Sequence, residues 1–176
     1  MKAGVGRPHD LVDDESSCRK AGGALLCGRF GKGVNMVDLP TTIEGWNERG
    51  SEYFPGHLGL TFTKVEAEEV TGTLSVRKAV MSWNGFLHAG SVVTLADTCC
   101  GYGVLKNLPE GAWGFTTIDL NSNFVGTARE GSVSCSARPL HLGKTTQVWE
   151  ATVSDDATGK AIAHFRCTQM ILWPRG

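Results

Sequence analysis

The longest apolar segment of the chain spans residues 89–105, and Asp97 is its only charged residue. A stretch of this length exceeds a typical strand, and its small residues and its flanks favour a helix that is buried on every side. The turn-like residues 84–88 precede the segment, and residues 107–111 supply a stop signal. The pattern therefore predicts one long buried helix.

Six other segments carry the apolar pattern of β-strands. They are residues 58–66, 71–77, 114–124, 132–141, 145–154 and 160–172. Within 114–124, strict alternation predicts that one face carries Thr116, Ile118, Leu120, Ser122 and Phe124. The turn at residues 155–159 joins the last two strands as a hairpin, and hairpin connections favour an antiparallel sheet.

A short helix is predicted ahead of the first strand. Thr41 or Thr42 is placed to cap it, and it runs toward Arg49. The pair Pro55-Gly56 is expected to break the chain after this helix.

The element order predicts an α+β domain over residues 39–176, with an antiparallel sheet wrapped around one long central helix. Residues 1–38 differ from this domain. They hold seven of the 23 glycines and no sustained helical or strand pattern. We expect them to form a loosely ordered N-terminal extension.

Composition narrows the class of protein. The chain has 176 residues and a formal net charge of −1, which excludes a general nucleic-acid coater. No apolar stretch reaches the roughly 18–20 residues of a membrane span, so no membrane association is predicted. The six cysteines form no C-x-x-C pair. Reduced thiols in a cytoplasmic protein are the simplest interpretation.

The common catalytic and cofactor motifs are missing from the sequence. It contains no G-x-S-x-G, no H-E-x-x-H and no G-x-x-x-x-G-K-[ST]. No two of the five histidines have helical metal-ligand spacing. The sequence thus predicts neither a metal site nor a cofactor.

The lone carboxylate of the long helix is the first candidate for chemistry. At 100° per residue, the side chains within about 60° of Asp97 are apolar or small: Gly90, Val93, Thr94, Cys100, Gly101 and Val104. A carboxylate in such surroundings must find hydrogen bonds or its pKa rises. The simpler alternative is an aspartate at an exposed helix edge or one that caps a neighbouring loop.

The start of the same helix is the second candidate. Residues 88–91 read His-Ala-Gly-Ser, and small side chains let a ligand approach the unpaired backbone N–H groups of a helix N-terminus. Such a terminus is suited to hold a developing oxyanion. Ala89 and Asp97 are about 12 Å apart along the helix axis, so one carbonyl group cannot reach both within one chain. A dimer that joins two half-sites resolves this, whereas simple packing of small residues is the alternative.

These residues resemble the PaaI-like branch of the hotdog-fold acyl-CoA thioesterases. The family pattern is His-Gly-Gly, six residues, then Asp or Glu, and this chain has His-Ala-Gly at residues 88–90 followed by Asp97. Residues 116–124, 128–131 and 141–146 also match the family pattern. The resemblance covers about residues 42–174, and it implies a hotdog fold that assembles into homodimers and often homotetramers.

The resemblance assigns roles to five residues of this sequence. It implies that Asp97 is the nucleophile or general base, and that the N–H of Ala89, with that of Gly90 nearby, polarises the thioester carbonyl. It implies that His88 shapes the entry loop and that Thr117 positions the water. Ala89 departs from the glycine that the family usually has at this position.

The implied substrate is an acyl-CoA or an acyl-carrier thioester. Arg129 and Lys144 are the candidate phosphate contacts, and Phe86 and Trp113 are candidates for the acyl pocket. Asn84 is also a candidate substrate contact. The family often carries an asparagine six residues before its histidine, where this chain has Ser82, so an ordinary turn role for Asn84 is the alternative.

Two other functions are compatible with parts of this pattern. A hotdog module that binds acyl-CoA without hydrolysing it is the first, because Ala89 narrows the approach to the helix start. A hotdog dehydratase or hydratase is the second, although the chain lacks the Asp-x-x-x-x-His arrangement that would resemble such enzymes.

Overall fold

The computed structural model describes residues 39–174, so the expected N-terminal extension, residues 1–38, lies outside the described residues. The described part contains the helices α1 (Ile43–Ser51), α2 (Phe54–Leu58) and α3 (Ala89–Lys106). Six strands accompany them: β1 (Leu60–Val65), β2 (Val70–Ser75), β3 (Gly114–Phe124), β4 (Ser132–Leu142), β5 (Thr146–Asp155) and β6 (Ala161–Leu172). The predicted long helix and all six predicted strands are confirmed to within a few residues.

The strands form one sheet in the order β1-β2-β4-β5-β6-β3, and every neighbouring pair is antiparallel. Helix α3 packs against all six strands on one face of this sheet, which we call the inner face. The chain leaves α3, crosses to the far edge as β3, and returns to the middle as β4. The predicted α+β architecture, a sheet wrapped around one central helix, is therefore confirmed.

Close packing of α3 on the sheet depends on small side chains. A Cβ atom at Gly103 would lie 2.3 Å from the ring of Trp149, which is fully buried on β5. Buried thiols also pack α3 against the sheet. Cys99 faces Cys135 of β4 and Cys100 faces Cys167 of β6, and this pairing, together with burial, raises the pKa of Cys99 and Cys100 well above the ordinary value.

Helix α1 begins as predicted, because the Thr42 hydroxyl accepts a hydrogen bond from the N–H of Gly45 at 3.2 Å. Its Asn47 side chain binds the outer edge of β1. Asn47 Oδ1 accepts from the N–H of Phe62 at 2.7 Å, and its Nδ2 donates to the carbonyl of Phe62 at 3.0 Å. The amide thus replaces a neighbouring strand at this edge.

Two predictions about local structure are wrong. Pro55-Gly56 does not break the chain, because Pro55 lies in the first turn of α2. Backbone N–H groups in a first turn have no acceptor within the helix, so the N–H that proline lacks is not missed there. Strict alternation along β3 also fails, since a bulge shifts the pairing with β6 between Thr117 and Asp119. Thr116 therefore lies on the outer face, opposite the exposed Met170, while Leu120 lies on the inner face, opposite the buried Cys167.

Candidate active site

Asp97 lies half-buried near the middle of α3, on the side that β3 covers. Burial raises the pKa of its carboxyl group above the ordinary value, and a hydrogen bond from Thr117 acts in the opposite direction. A carboxylate with a raised pKa is a stronger base than an exposed one, which suits it to accept a proton. These are the surroundings that the sequence predicted for Asp97.

The bulge in β3 is what brings Thr117 to the carboxylate. Thr117 pairs with the fully buried Gln169 of β6 and faces α3, with its hydroxyl donating to Asp97 Oδ1 at 3.5 Å. If residue 118 took part in regular alternation instead of being bulged, Thr117 and Leu120 would be three positions apart and would lie on opposite faces. The bulge lets both side chains line the same groove between β3 and α3.

The start of α3 presents one unpaired backbone donor. His88 is the N-cap residue, and its Nδ1 atom accepts a hydrogen bond from the N–H of Gly90 at 2.8 Å. The N–H groups of Ser91 and Val92 donate to the carbonyl of His88. Among residues 39–174, no acceptor faces the N–H of Ala89, and Ala89 is exposed. The helix start therefore offers the N–H of Ala89 to a ligand, while the N–H of Gly90 is already bound.

Three contacts hold this helix start in place. The carbonyl of Val80 accepts two hydrogen bonds, one from the N–H of His88 at 3.0 Å and one from the hydroxyl of Ser91 at 2.9 Å. The N–H of Leu87 donates to the carbonyl of Ala128 at 2.9 Å. These bonds fix the segment before α3 against the loop that follows β3.

Three of the predicted substrate contacts meet beside the helix start. The guanidinium carbon of Arg129 lies 4.1 Å from the centre of the Phe86 ring. Asn84 Oδ1 accepts a hydrogen bond from the N–H of Phe86 at 3.4 Å, which is the turn role that we gave as the alternative for Asn84. The stacking leaves the N–H groups at the edge of the guanidinium free to bind an anion.

Trp113 and Lys144 lie at the other end of the molecule. The N–H of Trp113 donates to the carbonyl of Leu172, and Trp173 Nε1 donates to the carbonyl of Lys144. The loop that carries Arg129 begins near Ile162 of β6, ten residues before Leu172. About 33 Å along β6 therefore separate Trp113 and Lys144 from the start of that loop. One protomer does not bring the five predicted substrate contacts together.

The sequence analysis missed a row of polar side chains across the inner face. Gln169 lies directly opposite Thr117 on one side and Gln147 on the other, and both glutamines are buried. Gln147 donates to the carbonyl of Asn107 at 2.7 Å and accepts from Trp149 Nε1 at 3.1 Å. The available signal was a glutamine in each of two strands whose other inward-facing residues are almost all apolar.

Residues 39–174 contain no group of three His, Cys, Asp or Glu side chains arranged to hold a metal ion. In the same range, no helix is both long and apolar enough to cross a membrane.

Comparison with known proteins shows that this chain is similar to thioesterases. A sequence model of the thioesterase superfamily matches residues 84–162. The 1,4-dihydroxy-2-naphthoyl-CoA hydrolase of Escherichia coli is 31% identical over 134 residues, which cover 74% of this chain and 95% of the hydrolase. The enzyme of the same name from Listeria monocytogenes is 32% identical over 111 residues, 63% of this chain and 89% of that enzyme. A thioesterase structure from Haemophilus influenzae superposes with a TM-score of 0.70 at 29% identity and covers 76% of this chain and 92% of that one.

Proposed function

Because this chain belongs to the thioesterase superfamily, with a PaaI-like hotdog fold, we propose that it hydrolyses an acyl-CoA thioester with Asp97 as the general base. The observation that carries the proposal is the half-buried Asp97 carboxylate on the helix whose N-terminus also presents the unpaired N–H of Ala89. Thr117 supports the assignment, because its hydroxyl orients one oxygen of the carboxylate.

The reaction follows from these groups. A water oxygen attacks the thioester carbonyl carbon while Asp97 accepts a proton from that water. The carbonyl oxygen becomes negative and is stabilised by the N–H of Ala89 and the partial positive charge of the helix N-terminus. The carbon–sulfur bond then breaks, and the thiolate takes the proton from Asp97. The products are a carboxylic acid and a free thiol.

A second copy of the chain completes the site in this proposal. Ala89 and Asp97 are separated by about 12 Å along α3, which is too far for one carbonyl group and one attacking water. Within residues 39–174, strand β3 pairs only with β6 and forms one edge of the sheet. It carries exposed apolar side chains, including Ile118 at 54% and Leu120 at 45% exposure. An apolar free edge is a surface for pairing with another strand.

Two-fold pairing along β3 also unites the separated substrate contacts. In a symmetric dimer the two edge strands run antiparallel, so the Gly114 end of one lies beside the Phe124 end of the other. Trp113 belongs to the first end, whereas Phe86 and Arg129 lie near the second. The same pairing carries the helix start of one copy toward Asp97 of the other. We therefore propose a homodimer joined at β3, with the homotetramer as its further assembly.

We expect a charge in the middle of β3 to weaken this dimer. Ile118→Lys places two like charges near the two-fold axis, whereas wild type should show two or four times the chain mass of 18.8 kDa in light scattering at micromolar concentration. The variant should show the monomer mass and lose turnover in parallel. Leu140→Lys is the matched control, because Leu140 is similarly exposed, at 48%, but lies on β4. A monomeric wild type that is fully active would contradict the shared site.

The substrate handle in the proposal is coenzyme A, and the acyl group is aromatic. Arg129 is exposed and stacked on Phe86, so it is placed to bind a phosphate with its guanidinium edge. The relatives from Escherichia coli and Listeria monocytogenes are named for an aromatic acyl-CoA. Phe86 and the fully exposed Trp83 provide aromatic surface beside the helix start.

The test of the function is thiol release, followed with a disulfide dye, from aryl, short, medium and long acyl-CoAs and from an acyl-carrier protein. We expect turnover of one acyl class, led by the aryl thioesters. Saturable binding of acyl-CoA without turnover on any thioester would instead support the non-catalytic binding module.

A further inference from the structure

Gln169 is a buried amide that is only partly satisfied. Its side chain is fully buried on the inner face of β6, and its Nε2 donates to Cys167 Sγ at 3.2 Å. Its Oε1 atom has no hydrogen-bond donor in the part of the chain that the structure describes. An amide oxygen buried without a donor costs folding free energy, so its presence at this position calls for an explanation.

The neighbour across the strand pair is Thr117. Directly opposite residues on one face of an antiparallel pair have Cβ atoms about 4.5–5.5 Å apart, so rotation of the side-chain torsions brings the amide to the hydroxyl. The Thr117 hydroxyl carries one hydrogen, which it donates to Asp97 Oδ1 in this structure. The Thr117 hydroxyl is therefore bonded to Asp97 in this structure, and its strand neighbour Gln169 carries a second acceptor that is without a donor among residues 39–174.

Proton transfer to Asp97 changes the hydrogen bonds that the Thr117 hydroxyl donates and accepts. An ionised carboxylate only accepts hydrogen bonds, whereas a protonated carboxyl group also donates one. When Asp97 holds the proton from the attacking water, it donates to the Thr117 oxygen, and the hydroxyl hydrogen then needs another acceptor. We propose that Gln169 is a positioning residue for thioester hydrolysis, because its Oε1 accepts that hydrogen and holds Thr117 while Asp97 is protonated.

This inference rests on the proposed role of Asp97 as general base. Only two effects shift the pKa of Asp97: burial raises it, and the hydrogen bond from the Thr117 hydroxyl lowers it. Four charged residues of the strands beside it lie on the outer face: Asp119, Glu150, His164 and Arg166. Asp155 is the last residue of β5, opposite Val133, and it does not shift the pKa of Asp97. The remaining titratable groups on elements packed against α3 include His57, Lys64, Tyr102 and the thiols Cys99, Cys100, Cys135 and Cys167, and none of them acts on Asp97.

The test replaces the amide by an apolar side chain of similar length. We expect Gln169→Met to keep or raise the melting temperature, to lower kcat about five- to tenfold and to leave KM within twofold. In this variant the Thr117 hydroxyl can donate its hydrogen bond only to Asp97, which favours the ionised carboxylate. The pKa of Asp97 therefore falls, and the acid limb of the kcat/KM profile moves to lower pH. Thr117→Val should move the limb to higher pH, because it removes the bond that lowers this pKa.

Two further variants make the result specific. Adding Gln169→Met to Thr117→Val should cause no further loss of kcat, since Gln169 acts through the hydroxyl. Gln147→Met is the matched control: it alters the next glutamine of the same row, whose amide already has its own partners, and it should leave the acid limb unchanged. Gln169→Leu serves as the second apolar variant if Gln169→Met does not unfold cooperatively.

An unchanged kcat and acid limb in a folded Gln169 variant would overturn the proposal, as would additive losses in the double variant. Failure of both apolar variants to fold would mark the amide as structural and overturn it equally. Asp97→Asn separates this result from a failure of the proposed function. If Asp97→Asn is inactive and Gln169→Met is normal, only the inference about Gln169 fails. A fully active Asp97→Asn removes the general base itself.

Discussion

Asp97→Asn is expected to lower kcat by at least about 100-fold while KM changes little. Asparagine has the shape of aspartate and still accepts the hydrogen bond from Thr117, but it cannot take a proton from water. In wild type, kcat/KM should fall as the pH drops through a value above the ordinary pKa of an aspartate, because Asp97 acts only when ionised and burial raises its pKa. Thiol release measured across pH checks both the loss and this acid limb.

The same variant is expected to gain stability at neutral pH although it loses activity. Burial raises the pKa of Asp97 in the folded state, so its contribution to stability is present below the unfolded pKa and is lost as the pH rises through the folded pKa. At neutral pH the folded wild-type chain carries a desolvated carboxylate, which the neutral amide of the variant replaces. We expect Asp97→Asn to melt at a higher temperature than wild type near pH 7, and at the same temperature near pH 3.5.

Near-normal turnover by a folded Asp97→Asn variant would remove Asp97 from the mechanism. A variant that is both inactive and less stable at neutral pH would show that the carboxylate supports the fold, which contradicts the electrostatic argument. Thr98→Val is a suitable control, because the Thr98 hydroxyl lies one residue away on α3 and bonds only the helix carbonyl of Thr94, at 2.6 Å. We expect this control to keep wild-type turnover.

Ala89→Pro should remove the oxyanion donor without disturbing the helix. Ala89 is the first residue of α3, a position where proline is favoured because its N–H takes no part in the helix. The preceding residue, His88, already has the extended backbone that proline requires, with φ −70° and ψ 135°. Loss of one preorganised donor costs about 10²- to 10³-fold in kcat, and we expect a loss of that size from thiol-release kinetics.

Ala89→Gly is the matched control for this loss. Glycine keeps the N–H and removes only a methyl group, so turnover should stay within a few-fold of wild type. Circular dichroism and the melting temperature of Ala89→Pro should match those of wild type. An active, folded Ala89→Pro variant would show that another group stabilises the oxyanion.

The fold could be predicted from the sequence because each element has a strong local signal. The seventeen-residue segment that contains one charge has few alternatives to a buried helix, and residues 114–124 have the observed strand bounds. The candidate site was predicted less completely. Asp97 stood out by itself in an apolar segment, whereas the identity of its neighbours depends on which strand covers the helix.

The features that could not be predicted arise from pairing between distant segments. The bulge near Thr117 is set by the register with β6, and the alternation of apolar residues in β3 contains no sign of it. The capture of the Gly90 N–H by His88 depends on the N-cap geometry. Trp113 and Arg129 are close in sequence, yet β3 runs the length of the sheet between them, which separates them.

The two edges of the sheet formed by residues 39–174 differ in a way that bears on the proposed dimer. Asn47 occupies the backbone N–H and carbonyl of Phe62 on the β1 edge, whereas no strand of these residues pairs with the second side of β3. A molecule with two open edges can add copies without end and form fibres. A molecule with one open edge is capped after a single addition, because the pair that results has closed edges on both sides. In the proposed dimer, Asn47 of helix α1 therefore opposes the addition of a further strand at β1.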